Sequence, residues 1–312
     1  MSLSRNILLW ASENPWMRKN VPSWRFVKSA VKKFMPGEHV EDSLNAAKTF
    51  QSVSISTVFT SLGENIKDLP EGLAVRDHYL DLIDKISERK LDIEISLKLT
   101  QLGFDLSFDE TYLRFKTITE KVRDKLSNVI WIDMEGGAYT ERTIEFYKRI
   151  KQEFENVGLC IQAYLYRTEN DLDGLLQINP HIRLVKGAYK EPRDIAFAGK
   201  KSVDQNYFEL AKKMMLVSKG KNIRTVFGTH DENLISKIEH EAEQNGITKE
   251  QLEFHMLYGI KPAFQKELVR CGYKLRVLIS YGDFWYPWYM RRLAERPANV
   301  WFVLKNMLSG QF

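Results

Sequence analysis

Eight short runs rich in β-branched and aromatic residues recur along the whole chain, and no other feature restricts its fold as tightly. They are SISTVFT (54–60), DIEISLKL (92–99), VIWIDM (129–134), GLCIQAYL (158–165), IRLVKGAY (182–189), RTVFGTH (224–230), EFHMLYG (253–259) and KLRVLISYG (274–282). Between them apolar residues return every three or four positions, as in Val75, Tyr79, Leu82 and Ile86, then Phe115, Ile118, Val122 and Leu126. That spacing gathers them on one face of a helix. Strand alternating with helix predicts parallel strands joined by helical crossovers, because a tight turn cannot join parallel neighbours. Eight such units in 312 residues, a little more than the ~250 usual for the fold, point to a closed, distorted (βα)₈ barrel of the α/β class. No Gly/Ser/Pro-rich linker interrupts the units. The expected organisation is one barrel over residues 45–312, preceded by an N-terminal helical arm over 1–44.

Charge and cysteine content narrow the function classes. Lys and Arg total 46 against 41 acidic residues, with no run of five like charges and no basic stripe interleaved with aromatics, which speaks against nucleic acid as a partner. Two cysteines, Cys160 and Cys271, provide neither a disulfide framework nor a paired zinc motif, so a reducing, cytoplasmic setting fits. No run approaches the ~18 apolar residues of a membrane span, and the first 26 residues are too charged for a cleaved signal. Trp10, Trp16 and Trp24 with Arg18, Lys19 and Arg25 would suit a peripheral contact at the inner face of a membrane. A helical arm packed on the core is the favoured alternative. Neither G-x-G-x-x-G nor G-x-x-x-x-G-K-[ST] occurs, so a nucleotide cofactor would not sit on a Rossmann turn or a P-loop.

A barrel of this kind builds its chemistry at the C-terminal ends of the strands. The ends of the runs carry Glu64, Lys98, Asp133, Glu135, Gln162, Arg183, Lys186, Tyr189, Thr229, His230, Asp231 and His255. Charged groups in apolar strands are costly to bury unless they pair with one another or hold a ligand. A structural reading competes at each place. Lys98 and Asp133 could be an ion pair without chemistry, His230 and His255 hydrogen-bonded core histidines, and Gly187 and Gly228 turn glycines. Arg291 and Arg292 could be a solvated helix face. Adjacent residues on a helix point about 100° apart, so one arginine can meet a substrate carboxylate while the other reaches a second anion.

Several stretches go beyond generic chemistry. SLKLTQLG (96–103), WIDMEG (131–136), LCIQAYLYRT (159–168), IRLVKGAYKEP (182–192), FGTHDE (227–232), FHMLYGI (254–260) and YPWYMRRLAERPANVWFVLKN (286–306) resemble the successive motifs of the proline dehydrogenase family, monofunctional bacterial type. MPGEH and SLGEN resemble its N-terminal motifs. The resemblance implies FAD lying across the strand ends of a distorted barrel, with Arg183 beside flavin N5. It implies cofactor contacts from Gln162, Lys186, Gly187, Ala188, Thr229, His230, Arg292 and Glu295, with Met134, Tyr189, Asp231 and His255 completing the set. Lys98, Asp133, Tyr189, Leu257, Arg291 and Arg292 would line the substrate pocket, and Glu64 would close over it by pairing with Arg291. Arg183, Asp133 and Lys98 are assigned to catalysis, no general base is identified, and no metal is expected. The implied reaction is oxidation of L-proline to 1-pyrroline-5-carboxylate by hydride transfer to FAD, electrons passing to a quinone-type acceptor in proline catabolism. Oligomeric state stays open.

Two positions depart from the family pattern. Leu278 stands where a tyrosine usually packs on the substrate ring, and Tyr281 falls on the opposite face of its strand and cannot substitute. His255 stands where glutamine is usual, a tolerable exchange because imidazole can still donate or accept. The Leu278 departure predicts altered preference, toward hydroxyproline or a ring homologue, or low proline activity. The competing classes are a metal-dependent barrel hydrolase using Asp133, Glu135, His230 and His255, a Schiff-base lyase using Lys186, and a non-catalytic flavin-binding relative.

Overall fold

The computed structural model describes residues 31–63, 66–219, 221 and 223–295, and within the N-terminal segment residues 8, 10–12, 14–24 and 27. Eight parallel strands close into a barrel in sequence order: β1 (Ser56–Ser61), β2 (Ile93–Leu97), β3 (Ile130–Ile132), β4 (Val157–Gln162), β5 (His181–Val185), β6 (Arg224–Gly228), β7 (Glu253–Leu257) and β8 (Lys274–Tyr281). Each of the eight sequence runs contributes one strand. Helices bounded within the described residues before the barrel are α1 (Pro15–Asn20) and α2 (Val40–Gln51). A helix then follows every strand: α3 (Leu69–Glu88), α4 (Phe108–Leu126), α5 (Thr140–Lys151), α6 (Thr168–Leu175), α7 (Lys200–Ser218), α8 (Glu232–Gln244), α9 (Pro262–Arg270) and α10 (Trp285–Glu295). Helix starts follow local chemistry. The Asp68 carboxylate accepts from Glu71 N at 3.0 Å and Ser107 Oγ from Glu110 N at 3.2 Å, satisfying amides that a helix leaves orphaned at its N-terminus.

The principal core lies between the strands and the ring of helices. Tyr79, Leu82 and Ile86 of α3 and Phe115, Ile118 and Val122 of α4 are fully buried there against outward-facing strand residues such as Ile95, Ile132 and Phe227. The barrel interior is different: Val58, Val129, Trp131 and Val226 form a small apolar plug with Leu278 against it. A charged floor accompanies this plug. Arg224 bridges Glu94 (2.5 Å) and Glu253 (2.5 Å), and Arg276 lies 3.5 Å from both carboxylates and 2.9 Å from Asp92. Such a network adds little net stability relative to apolar packing, but each member needs the others to stay buried.

The arm is partly docked. Leu8, Ala11, Val21, Val27, Val31 and Met35 pack on Trp285, Tyr286, Tyr289 and Leu293 of α10, while Trp10, Trp16 and Trp24 face outward, 60%, 63% and 41% exposed. The division expected between residues 44 and 45 falls inside α2, whose Leu44 and Ala47 join the barrel core.

Candidate active site

Strand alternation and closure bring the inward side chains of distant segments to one end of the barrel. Arg183, central in β5, is 2% exposed, and burial of a cation demands compensation. Its Nη2 donates to Asp133 just beyond β3 and, at 2.8 Å, to Ser96 Oγ of β2, and the Ser96 hydroxyl donates onward to Asp133 at 2.8 Å. Burial works against the charge of Arg183, but the Asp133 carboxylate, together with Cys160 and Glu94, more than offsets it and holds the guanidinium protonated. The guanidinium carbon lies 5.0 Å from the centre of the Trp131 ring. Among the described residues its second terminal nitrogen, Nη1, is buried without a hydrogen-bond partner, as are Gln162 Oε1 and His255 Nδ1. An unpaired guanidinium nitrogen beside this ion pair leaves room for a partner besides protein, since buried polar groups are otherwise almost always paired.

Around this centre the rim is tied together by charge. Lys186 binds Asp204 at 2.5 Å and Asp231 at 2.9 Å. The lysine contacts overcome burial and bring the Asp231 carboxyl down to about 2. Gly187 follows with φ +106°, and a Cβ there would lie 2.1 Å from the Tyr164 ring. Ala188 and Tyr189 continue this segment, half-buried. The Glu191 carboxylate ties three rim segments, accepting from Gly137 N at 2.6 Å and from the Tyr164 hydroxyl at 3.2 Å. Thr229 is buried, its hydroxyl accepting from Asp231 N at 3.1 Å. His230 Nε2 accepts from Leu257 N at 2.7 Å, which places the ring proton of the neutral form on Nδ1.

Lys98 and Asp133 stand just past the ends of β2 and β3; Lys98 caps a short 3₁₀ turn, Leu99–Leu102, rather than continuing the strand. Met134 and Gln162 are buried beside them, Gln162 Nε2 donating to Met134 O at 3.4 Å. Leu278 points into the barrel, whereas Tyr281 lies in the outer core with its hydroxyl 2.8 Å from His78 Nε2. Glu64 and the side chains of Arg291, Arg292 and Glu295 lie outside the described residues; the two arginines fall within α10.

The ligand set expected for a metal hydrolase does not converge. Glu135 accepts from Thr100 at 2.8 Å, His230 is bound to the β7 backbone, and His255 faces Glu253 at the barrel floor. Among the described residues no group of three or more His, Cys, Asp or Glu is placed to hold a metal ion. Sequence reading missed Ser96 and Trp131, and with them the floor residues Glu94, Arg224 and Glu253.

The floor sets an acid limit on the fold. Burial depresses the His255 imidazole to about 4 although Glu253, 3.0 Å away, favours its protonation, and burial likewise depresses His181 to about 4. Unfolded imidazoles titrate near 6.5, so between that pH and about 4 the unfolded chain holds more protons than the folded one. Stability therefore falls as pH drops through this window. His78 is lowered by burial as well, so His255→Gln is expected to remove one of three contributions and flatten the dependence of Tm on pH there. An unchanged slope would show that His255 is not the group responsible.

The proline dehydrogenase family model matches residues 43–305. The chain is 36% identical to proline dehydrogenase 1 of Bacillus subtilis subsp. natto over 304 residues, covering 97% of this chain and 99% of that one. It is 32% identical to the proline dehydrogenase of Deinococcus radiodurans over 315 residues, covering 99% of each. Among solved structures, proline utilization A of Bdellovibrio bacteriovorus inactivated by N-propargylglycine superposes with a TM-score of 0.78 at 23% identity, over 93% of this chain and 37% of that one. The corresponding protein of Corynebacterium freiburgense gives 0.75 at 18% identity, over 98% and 34%. The chain thus spans about a third of those longer proteins, and at these identities the likeness speaks for the barrel fold alone.

Proposed function

The chain belongs to the proline dehydrogenase family, and on that premise we propose that it oxidises L-proline to 1-pyrroline-5-carboxylate with FAD, passing the electrons to a quinone-type acceptor. The observation that carries this reading is Arg183, a buried cation fixed by Asp133 and Ser96 with Nη1 left unpaired.

The residues present fit a flavin. Arg183 Nη1 offers a donor, Gln162 Oε1 an acceptor and His255 Nδ1 an acceptor, its Nε2 donating to the Glu253 carboxylate, all three buried and unpaired among the described residues, and the polar edge of an isoalloxazine carries both kinds of partner. When bound, FAD supplies the two-electron acceptor that no side chain can provide. Arg183 would hold positive charge against the electron-rich form of that ring. Lys186, Gly187, Ala188, Tyr189, Thr229, His230 and Asp231 would hold the rest of the cofactor, with Met134, Arg292 and Glu295. Lys98, Asp133, Tyr189 and Leu257 would wall the substrate site. Arg291 and Arg292 would grip the amino-acid carboxylate and fix which ring hydrogen faces the acceptor, worth several orders of magnitude in rate through orientation alone. Glu64 would close the site through Arg291.

Leu278 favours a second reading within the same chemistry. It faces the barrel interior, and the family resemblance implies an aromatic ring over the substrate at this position, so leucine here would give a smaller pocket wall without a hydroxyl. We propose that this broadens the site toward substituted or enlarged rings such as hydroxyproline. Leu278→Tyr is expected to raise kcat/KM for L-proline about tenfold relative to hydroxyproline, the scale of one aromatic contact. The check is a panel of proline, hydroxyproline and ring homologues with an artificial acceptor, and an unchanged ratio would remove Leu278 as the determinant.

No helix among the described residues is long and apolar enough to cross a membrane. The outward Trp10 and Trp16 beside Arg18 and Lys19 on the arm support a peripheral contact with a membrane carrying the quinone.

A further inference from the structure

Arg183 is held by more than its carboxylate partner. Its Nη2 rests on Ser96 Oγ at 2.8 Å, and its guanidinium carbon lies 5.0 Å from the Trp131 ring. Trp131 is fully buried and itself fixed, because its Nε1 donates to Glu94 Oε2 at 2.7 Å and Glu94 is anchored by Arg224 at 2.5 Å. The Arg224 guanidinium also approaches the indole, at 5.4 Å. The space the indole occupies exists because Trp131 pairs across β3 and β4 with Gly158, where a Cβ would lie 2.4 Å from the ring. Ser96 and Trp131 are themselves register partners across β2 and β3, so one barrel layer supplies both contacts.

We infer that Ser96 and Trp131 are positioning residues that form a socket for Arg183, transmitting the rigidity of the barrel floor to the cation proposed to lie at the flavin. The inference rests on the flavin reading above. A guanidinium is planar, so its placement needs a restraint on its edge and another on its face. Asp133 and Ser96 provide the first, and the indole, pinned through Glu94, provides the second by cation–π attraction. Ser96 has a further task. It accepts from Arg183 while donating to Asp133, which closes a three-membered ring of hydrogen bonds and stops the carboxylate from turning toward the pocket.

The test uses purified, flavin-loaded enzyme and two variants. Ser96→Ala removes the bridging hydroxyl, and Trp131→Phe keeps a ring face but loses the Nε1 donor that Glu94 accepts from. A misplaced cation stabilises the reduced flavin less, so both variants are expected to move the midpoint potential of the bound flavin to more negative values. Its anaerobic reduction by L-proline is expected to slow on the order of tenfold to a hundredfold, as for small misplacements of reacting groups, with KM nearly unchanged. Should Trp131→Phe fail to fold, Ser96→Ala alone decides. Folded, flavin-loaded Ser96→Ala with the wild-type potential and reduction rate would overturn this inference and leave the proposed function standing. Wild-type protein carrying no flavin would overturn both.

Discussion

Replacing Arg183 by methionine is expected to lower the rate of flavin reduction by substrate by at least two to three orders of magnitude, the scale seen when a preorganised donor at a developing charge is lost. The side chain is 3% exposed and ion-paired with Asp133, so the substitution does two separable things. It removes the cation from the site, and it strands a carboxylate that is only 20% exposed. Breaking one side of a buried pair costs about 3–5 kcal/mol, so a marked fall in Tm should accompany the kinetic loss. Arg183→Met/Asp133→Asn separates the effects. It should recover much of the stability, since no charge is left unpaired, and none of the rate. Stopped-flow reduction and thermal unfolding on the same preparations check both halves; recovery of rate in the double variant would mean that Arg183 serves only to neutralise Asp133.

The second large effect is expected at Gly187. Its φ of +106° is costly for any side chain, and a Cβ would lie 2.1 Å from Tyr164 Cδ1 and 2.4 Å from Cε1. Tyr164 cannot yield cheaply, being buried with its hydroxyl bonded to Glu191, which also holds Gly137. Gly187→Ala should therefore push the 186–189 segment off its seat and cost most of the bound flavin together with several kcal/mol of stability, since backbone strain alone accounts for about 1–3 kcal/mol. Gly272 provides the control, with φ +93° and nothing within 4 Å of the point where a Cβ would stand. Gly272→Ala should show the strain without the clash, a small fall in Tm with full flavin content. Equal effects at the two sites, read by flavin absorbance per protein and by Tm, would show that contact with Tyr164 does not matter.

Most of the fold was legible because each strand is a compact β-branched run and each following helix carries a clean apolar stripe, as Tyr79, Leu82 and Ile86 illustrate. Strand ends were less legible. Lys98 continues the DIEISLKL run yet caps a 3₁₀ turn, since nothing in the composition marks where pairing stops. The socket was hidden for a different reason. Strands of a parallel barrel are buried on both faces, so the alternation that separates inside from outside in an exposed sheet carries no polarity signal, and Trp131 in VIWIDM reads as ordinary core. The Glu94–Arg224 pair joins residues 130 positions apart, and only closure of β1 on β8 fixes the geometry that makes them neighbours across the interior. The motif RLVKGAY, by contrast, stood out in the sequence, and the structure pairs its Lys186 with Asp231 just beyond the strand ends.

The proposed chemistry depends on an oxidising ring lodged against Arg183, whose Nη1 is buried and unpaired among the described residues. The most direct test is the visible absorption spectrum of the purified protein before and after anaerobic addition of L-proline, and then of hydroxyproline. A flavin band that bleaches with either substrate is the predicted result. Colourless protein that takes up no added FAD, or a flavin band that neither amino acid bleaches, would contradict it.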